Sequence, residues 1–302
     1  MRDVHAMAPA RGRLPLRSVG LSSIRKPLVV DRGDRTNNLS VTFHVGVDLP
    51  PGRKGSDLSR NAEILAEVVD ATVLSPVSSL ESACSTIARE LLARHSYATE
   101  ANVEASAEYF LRKGISEEKR SFEDYTLLAE AHAERGPEGR VLLRRSVGAE
   151  AVGMTACPCA METCRDELAR EFPMLGEPAL RELPMITHNQ RNRTRLVVEL
   201  PEGSEAEVDD LIAAIEAAQS SPTYAILKRG DEGRVVLDAH RHPKFVEDVL
   251  RDLLADLPRR FPALPDETGV WAETVSEESI HKYNVEAAHY ATFGELRRNH
   301  GD

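Results

Sequence analysis

The 302-residue chain carries 49 Asp and Glu against 38 Lys and Arg, a net charge of −11, which argues against general binding to nucleic acid or to an anionic membrane. Apolar residues at 41% suffice for the core of one large or two medium domains, and aromatics at 5% make that core mainly Leu, Val, Ile and Ala. No run approaches the ~18 apolar residues of a membrane helix, and the N-terminal region lacks the apolar centre of a signal peptide, so a cytoplasmic protein with reduced thiols is expected.

Residues 1–36, rich in Arg and Pro and without a sustained period, are expected to form an irregular arm. The alternation of Leu39–Leu49 predicts a strand, closed by Pro50, Pro51 and Gly52. Apolar spacings of three and four predict helices over Asn61–Val69 and Leu80–Leu92. A polar, acidic stretch leads to Gly136 and Gly139, after which Val141–Val147 and Thr194–Leu200 read as strands. Ser204–Gln219 has one apolar stripe and a capping serine, predicting a helix. Tyr224–Lys228 and Arg234–Asp238 read as two strands around a turn bracketed by Gly230 and Gly233. Pro243 then stands at the opening of a helix carrying Val246, Val249, Leu250, Leu253 and Leu254. Strands and helix pairs occur twice, an α+β plan.

Three of the four cysteines, Cys157, Cys159 and Cys164, fall within TACPCAMETC, residues 155–164. A closed structural zinc site wants two separated pairs of Cys or His and no second pair exists, which favours an open site. Cys84, on an apolar helix stripe, reads as an inert core thiol. His188 lies in THNQR, among polar side chains able to orient an imidazole. Glu278 precedes His281 by three residues and could share its helix face, whereas His240 and His242 read as a solvated strand end. A thiolate, an imidazole and a carboxylate with one position left for water suit a hydrolytic iron or zinc better than magnesium. Spacing does not choose the carboxylate: the KRGDE cluster reads as a solvated turn, and helix capping accounts for Glu247 and Asp248.

The strings TACPCA, THNQR, SSPTYAILKRGDE, HPKFVEDVLR and EESIH, in this order and with VDLPPGRKGSDLSR ahead of them, resemble the GTP cyclohydrolase type IB family, its archaeal branch in particular. The resemblance implies a tunnelling fold (T-fold) with two tandem β-β-α-α-type units, residues 37–140 and 141–302, in a multimeric barrel. It further implies a homodimer or homotetramer with active sites at subunit interfaces. By motif, it makes Cys157, His188 and Glu232 the metal ligands, Glu247 the guanine anchor, and Cys157, Glu278 and His281 the catalytic groups. It implies ferrous iron, with zinc or manganese as alternatives. The implied reaction is water attack at C8 of GTP, giving 7,8-dihydroneopterin 2′,3′-cyclic phosphate, formate and pyrophosphate. Bacterial members have Ser-Lys after the CPC string, where this chain has Ala160-Met161, and reach the histidine of HNQR sooner. The alternatives are a bacterial-type enzyme releasing 7,8-dihydroneopterin triphosphate, a reductase with a nucleophilic cysteine, and a non-enzymatic metal-binding protein. Arg60, Arg191, Lys228 and Arg229 are candidates for the triphosphate, each equally well explained as a surface ion pair.

Overall fold

The computed structural model describes residues 4–9, 12–33, 35–116 and 118–299. In chain order the elements are β1 (Leu16–Asp31), β2 (Thr36–Leu49), α1 (Leu58–Leu74), α2 (Leu80–Arg94), β3 (Glu100–Gly114), β4 (Arg120–Arg135), β5 (Val141–Ala156), α3 (Pro158–Glu171), α4 (Gly176–Glu182), β6 (Asn189–Leu200), α5 (Val208–Ala218), β7 (Ser221–Pro222), α6 (Arg229–Arg241), α7 (Val246–Arg260), β8 (Gly269–Ser276), β9 (Val285–Thr292) and α8 (Phe293–Asn299).

The strands form one nine-stranded sheet in the order β1-β2-β3-β4-β5-β6-β8-β9, with β7 paired to β5. The pairs β1–β2, β2–β3, β5–β7, β6–β8 and β8–β9 are antiparallel. This corrects the expected fold. The class is α+β, but the strands follow one hydrogen-bonded path instead of closing two tandem tunnelling-fold units into a barrel. The physical reason lies in β3, β4 and β5, which run 15 or 16 residues each and carry the hydrogen-bonded ladder on from β2 to β6 without a break. By packing, the chain divides into two compact units. One comprises Met1–Tyr109, Thr126–Val147 and Glu199–Ser204, the other Phe110–Tyr125, Gly148–Val198 and Glu205–Asp302.

In the first unit, α1 packs on β1 and α2 on β2. Residues 16–31, expected to be irregular, form β1 because their backbone pairs along β2 from Leu16↔Leu49 to Asp31↔Thr36. The apolar stripe of α2 buries Cys84, Ile87, Leu91 and Leu92, each large aliphatic side chain contributing about 1.5–3 kcal/mol. Burial pushes the Cys84 thiol well above its usual range, helped by Glu81 and Glu130, which keeps it an unreactive core group. The inward side of β3 and β4 is largely alanine, at Ala101, Ala105, Ala107, Ala129, Ala131 and Ala133. That composition hides the strand alternation from hydrophobicity and explains why both strands read as a featureless polar stretch.

The same unit holds a buried histidine. His95 donates from Nε2 to Asn61 Oδ1 at 2.6 Å and accepts at Nδ1 from the Tyr97 hydroxyl at 3.0 Å. Burial pulls its pKa below the ordinary histidine value; Arg60 and Arg53 act in the same direction and Asp57 opposes them. The unfolded chain therefore takes up a proton near pH ~6.5 that the folded chain refuses, and stability falls as pH drops through that value. The unfolding temperature should decline between about pH 7.5 and 5.5, and His95→Gln should flatten part of that decline. An identical pH slope in both proteins would remove His95 from the account.

In the second unit, α7 buries Val246, Val249, Leu250, Leu253, Leu254 and Leu257 against α5, β8 and β9. The segment expected to be a two-stranded hairpin is the helix α6, with Val235 and Ala239 facing inward one turn apart. Its start is set by Asp231, whose carboxylate accepts from the Lys228 N–H at 3.1 Å and from Lys119 Nζ at 2.6 Å. The Lys119 ammonium, then the Lys228 N–H, hold that carboxyl below its usual range. Gly230 and Gly233 sit in the opening turns of this helix and mark no hairpin. His240 and His242 accordingly lie at its C-terminal end, where an imidazole suits the helix dipole.

Candidate active site

β5 runs directly into α3, and Cys157 is the N-cap residue at that junction. Pro158 occupies the first helical position, where its fixed φ and missing N–H are tolerated. The turn separates the two nearest thiols: Cys157 lines a pocket, whereas Cys159 is exposed. The approach to β6 is stitched to this junction by backbone contacts. The Cys157 N–H donates to the His188 carbonyl at 3.1 Å, and the Thr187 hydroxyl donates to the Cys157 carbonyl at 2.7 Å.

The pocket has a volume of about 210 Å³, and Cys157, His188, Gln190, Glu247, Glu278 and His281 line it. All six belong to the second unit. Glu278 and His281 do not share a helix face; they stand in the connection between β8 and β9. His281 stacks on Tyr283 with ring centres 4.9 Å apart and meets the His188 ring edge-on at 6.5 Å. Glu278 Oε2 lies 3.7 Å from His188 Nδ1, and the two side chains are only 10% and 12% exposed.

Glu247 and Asp248 divide the work at the start of α7. Asp248 accepts the Phe245 N–H at 3.0 Å and so caps the helix. Glu247, in the same first turn, has no hydrogen-bond or ion-pair partner among the described residues and borders the pocket. Lys244 anchors this end: its N–H donates to the Ala156 carbonyl at 3.0 Å, and its ammonium pairs with Asp252 at 2.7 Å.

Among the described residues the donors for a metal are incomplete. A thiol at Cys157 and an imidazole at His188 are suitable soft and borderline ligands. Glu232, however, stands exposed in the first turn of α6 and does not line the pocket. Among the described residues no group of three or more His, Cys, Asp and Glu side chains is assembled around a common point. The candidate triphosphate residues do not line the pocket either, and Arg60 is paired with Asp57 at 3.0 Å.

Three contributors escaped the sequence reading. Gln190 was visible only as part of THNQR, although it stands at the start of β6 two residues after His188, with its side chain 2.8 Å from the imidazole. Tyr283 and Lys244 carried no signal beyond proximity to His281 and to the start of α7. Below the pocket, Asn192, Thr194, Gln219 and Thr274 form a buried hydrogen-bonded layer with distances of 2.7–2.8 Å.

A thiol, two imidazoles and two carboxylates line one cleft of ring size, the kind of concave, polar-lined site at which an enzyme works, and this cleft is the candidate active site. The match to the family model described as type I GTP cyclohydrolase folE2 covers residues 1–287. A GTP cyclohydrolase MptA of Methanosarcina mazei is 40% identical over 306 residues, covering 98% of this chain and 96% of that protein. GTP cyclohydrolase MptA 2 of Methanocella arvoryzae is 40% identical over 294 residues, covering 95% and 94%. Among solved structures, a uricase from Arthrobacter globiformis has the same general fold, with a TM-score of 0.54 at 8% identity, covering 94% of this chain and 96% of that one. The chain belongs to the type I GTP cyclohydrolase folE2 family.

Proposed function

We propose that this protein is a metal-dependent GTP cyclohydrolase that converts GTP to 7,8-dihydroneopterin 2′,3′-cyclic phosphate, formate and pyrophosphate at the head of a pterin pathway. Family membership makes it an enzyme acting on GTP in pterin biosynthesis. The observation that carries the reading further is the unpartnered Glu247 carboxylate beside the Cys157 thiol and His188 imidazole in one cleft.

The cleft is smaller than the ~300–1,000 Å³ of sites that enclose a drug-sized ligand, so it suits the purine, with the ribose and phosphates extending outward. Glu247 would accept two parallel hydrogen bonds from N1–H and the N2 amino group of guanine. Cys157 and His188 would hold a divalent metal, ferrous iron or else zinc or manganese; Glu232, which lies outside this cleft, would complete the set only from a second subunit of the proposed oligomer. When bound, that metal supplies a Lewis acid and an activated water. His281, which stacks on Tyr283 at the cleft, would deliver a proton to the imidazole ring of the purine as C8 is attacked, and Glu278 would take one from water. Hydrolysis then removes C8 as formate, the ribose opens, rearranges and recloses on the freed amine with loss of water to give the dihydropterin, and attack of a hydroxyl of the resulting side chain on the α-phosphorus displaces pyrophosphate.

The proposal includes a cytoplasmic homodimer or homotetramer. Support comes from β9, the last strand of the sheet, which leaves Val285, itself a residue of the cleft, and Tyr290, further along the strand, exposed. No described helix is long and apolar enough to cross a membrane.

Anaerobically prepared protein loaded with ferrous iron should turn GTP into a product that becomes a fluorescent pterin on oxidation, with release of formate and pyrophosphate. Excess chelator should stop it. Turnover that persists in metal-free protein would defeat the metal mechanism, and a pterin retaining all three phosphates would replace the cyclic phosphate as product.

A further inference from the structure

Gln190 is buried on β6, and its amide has only one orientation that satisfies its neighbours. Its Nε2 lies 3.3 Å from Glu278 Oε1 and 3.2 Å from Thr155 Oγ1. A carboxylate offers acceptor atoms alone, so the amide nitrogen must face Glu278. The second hydrogen of that nitrogen goes to the Thr155 oxygen. The carbonyl end is thereby turned to His188, with Oε1 2.8 Å from Nδ1. A carbonyl oxygen only accepts, so Nδ1 must carry the proton, and the neutral ring keeps its lone pair on Nε2. The opposite amide orientation would set oxygen against oxygen at Glu278.

The carboxylate does not act on the ring directly, because 3.7 Å from Nδ1 is beyond hydrogen-bonding distance. The backbone that carries the ring is held as well. The His188 carbonyl receives the Cys157 N–H, and Thr187 is tied to the Cys157 carbonyl, so the backbone beneath the imidazole is held from two sides.

We infer that Gln190 is a positioning residue that relays the acceptor character of Glu278 to His188, fixing the Nδ1–H tautomer so that Nε2 presents its lone pair to the cleft. The use of that lone pair for a metal rests on the proposed function; the tautomer does not. Only Oε1 of Glu278 contacts Gln190, which leaves Oε2 for the reaction.

The test is nitrogen-15 NMR of metal-free protein labelled at histidine, recorded about two units above the ordinary imidazole pKa, with His188 assigned by its loss in His188→Gln. In the native protein, Nδ1 should resonate as a protonated nitrogen and Nε2 as an unprotonated one. In Gln190→Leu the pattern should shift towards the Nε2–H form preferred by unconstrained histidine. Gln190→Glu, combined with Glu278→Gln so that two carboxylates are not set against each other, keeps an acceptor for Nδ1–H and should keep the native tautomer. Affinity for cobalt(II), read from its thiolate charge-transfer band, should fall about 10- to 100-fold in Gln190→Leu, the usual effect of losing an outer-shell partner. A native Nε2–H tautomer, or an unchanged tautomer in folded Gln190→Leu, overturns the inference. If Gln190→Leu does not fold, the native spectrum and the double variant Gln190→Glu with Glu278→Gln still decide it. Failure of the native protein to bind cobalt, with the Nδ1–H tautomer in place, would overturn the metal reading and support the inference about Gln190.

Discussion

Glu247→Ala should lower kcat/KM for GTP by roughly a hundredfold or more while leaving metal content unchanged. Two charge-assisted hydrogen bonds at about 1.5–3 kcal/mol each are at stake, and a net loss of about 3 kcal/mol corresponds to that factor. The prediction follows from the division of labour at the start of α7. Asp248 caps the helix, so removing Glu247 takes away no structural hydrogen bond. If Glu247 serves only the helix dipole, its loss would cost about 0.3–1 kcal/mol of stability and nothing in turnover. Inosine triphosphate sharpens the comparison because it lacks the N2 amino group. The native enzyme should discriminate against it, and Glu247→Ala should not. Equal discrimination by both proteins would take Glu247 away from the guanine edge.

The second large effect is expected at the strand–helix junction. Cys157→Ala should abolish stable metal binding and lower GTP turnover on the order of a thousandfold, the loss of several kcal/mol of transition-state stabilisation. Cys159→Ala should do neither. Two thiols separated by one proline are thus predicted to behave oppositely, because Cys157 lines the cleft and Cys159 is exposed. The variant should remain folded. The junction is held by the backbone N–H and carbonyl of Cys157, and its side chain makes no capping bond. Unchanged metal content in Cys157→Ala, measured by elemental analysis, would remove the thiol from the ligand set.

Much of the fold was legible where hydrophobic period was strong. The stripes of α1, α2, α5 and α7 and the alternation of β2 and β6 identify those elements. Legibility failed where the packed residues were small or the signal was shared. The inward alanines of β3 and β4 bury little apolar area each, and the RVVLDA run of α6 fits a strand or a helix equally well. Beside the local cap on the Lys228 N–H, Asp231 at the helix start pairs with Lys119, distant in sequence. No local propensity encodes such a partner.

The sequence by itself determined the chemical inventory: a reduced thiol in a CPC turn, a histidine amid polar side chains, and acids at a helix start, in an order specific enough to identify a family. Tertiary structure alone decided how those groups divide their roles. It placed Cys157, His188, Glu247, Glu278 and His281 around one cleft and left Glu232 on the exposed face of α6. It also distinguished Glu247 from Asp248 and turned the Gln190 amide towards a single His188 tautomer. The reason is competition for hydrogen bonds: adjacent residues of equal chemical ability are separated by which partner reaches them first, and those partners arrive from other elements of the fold.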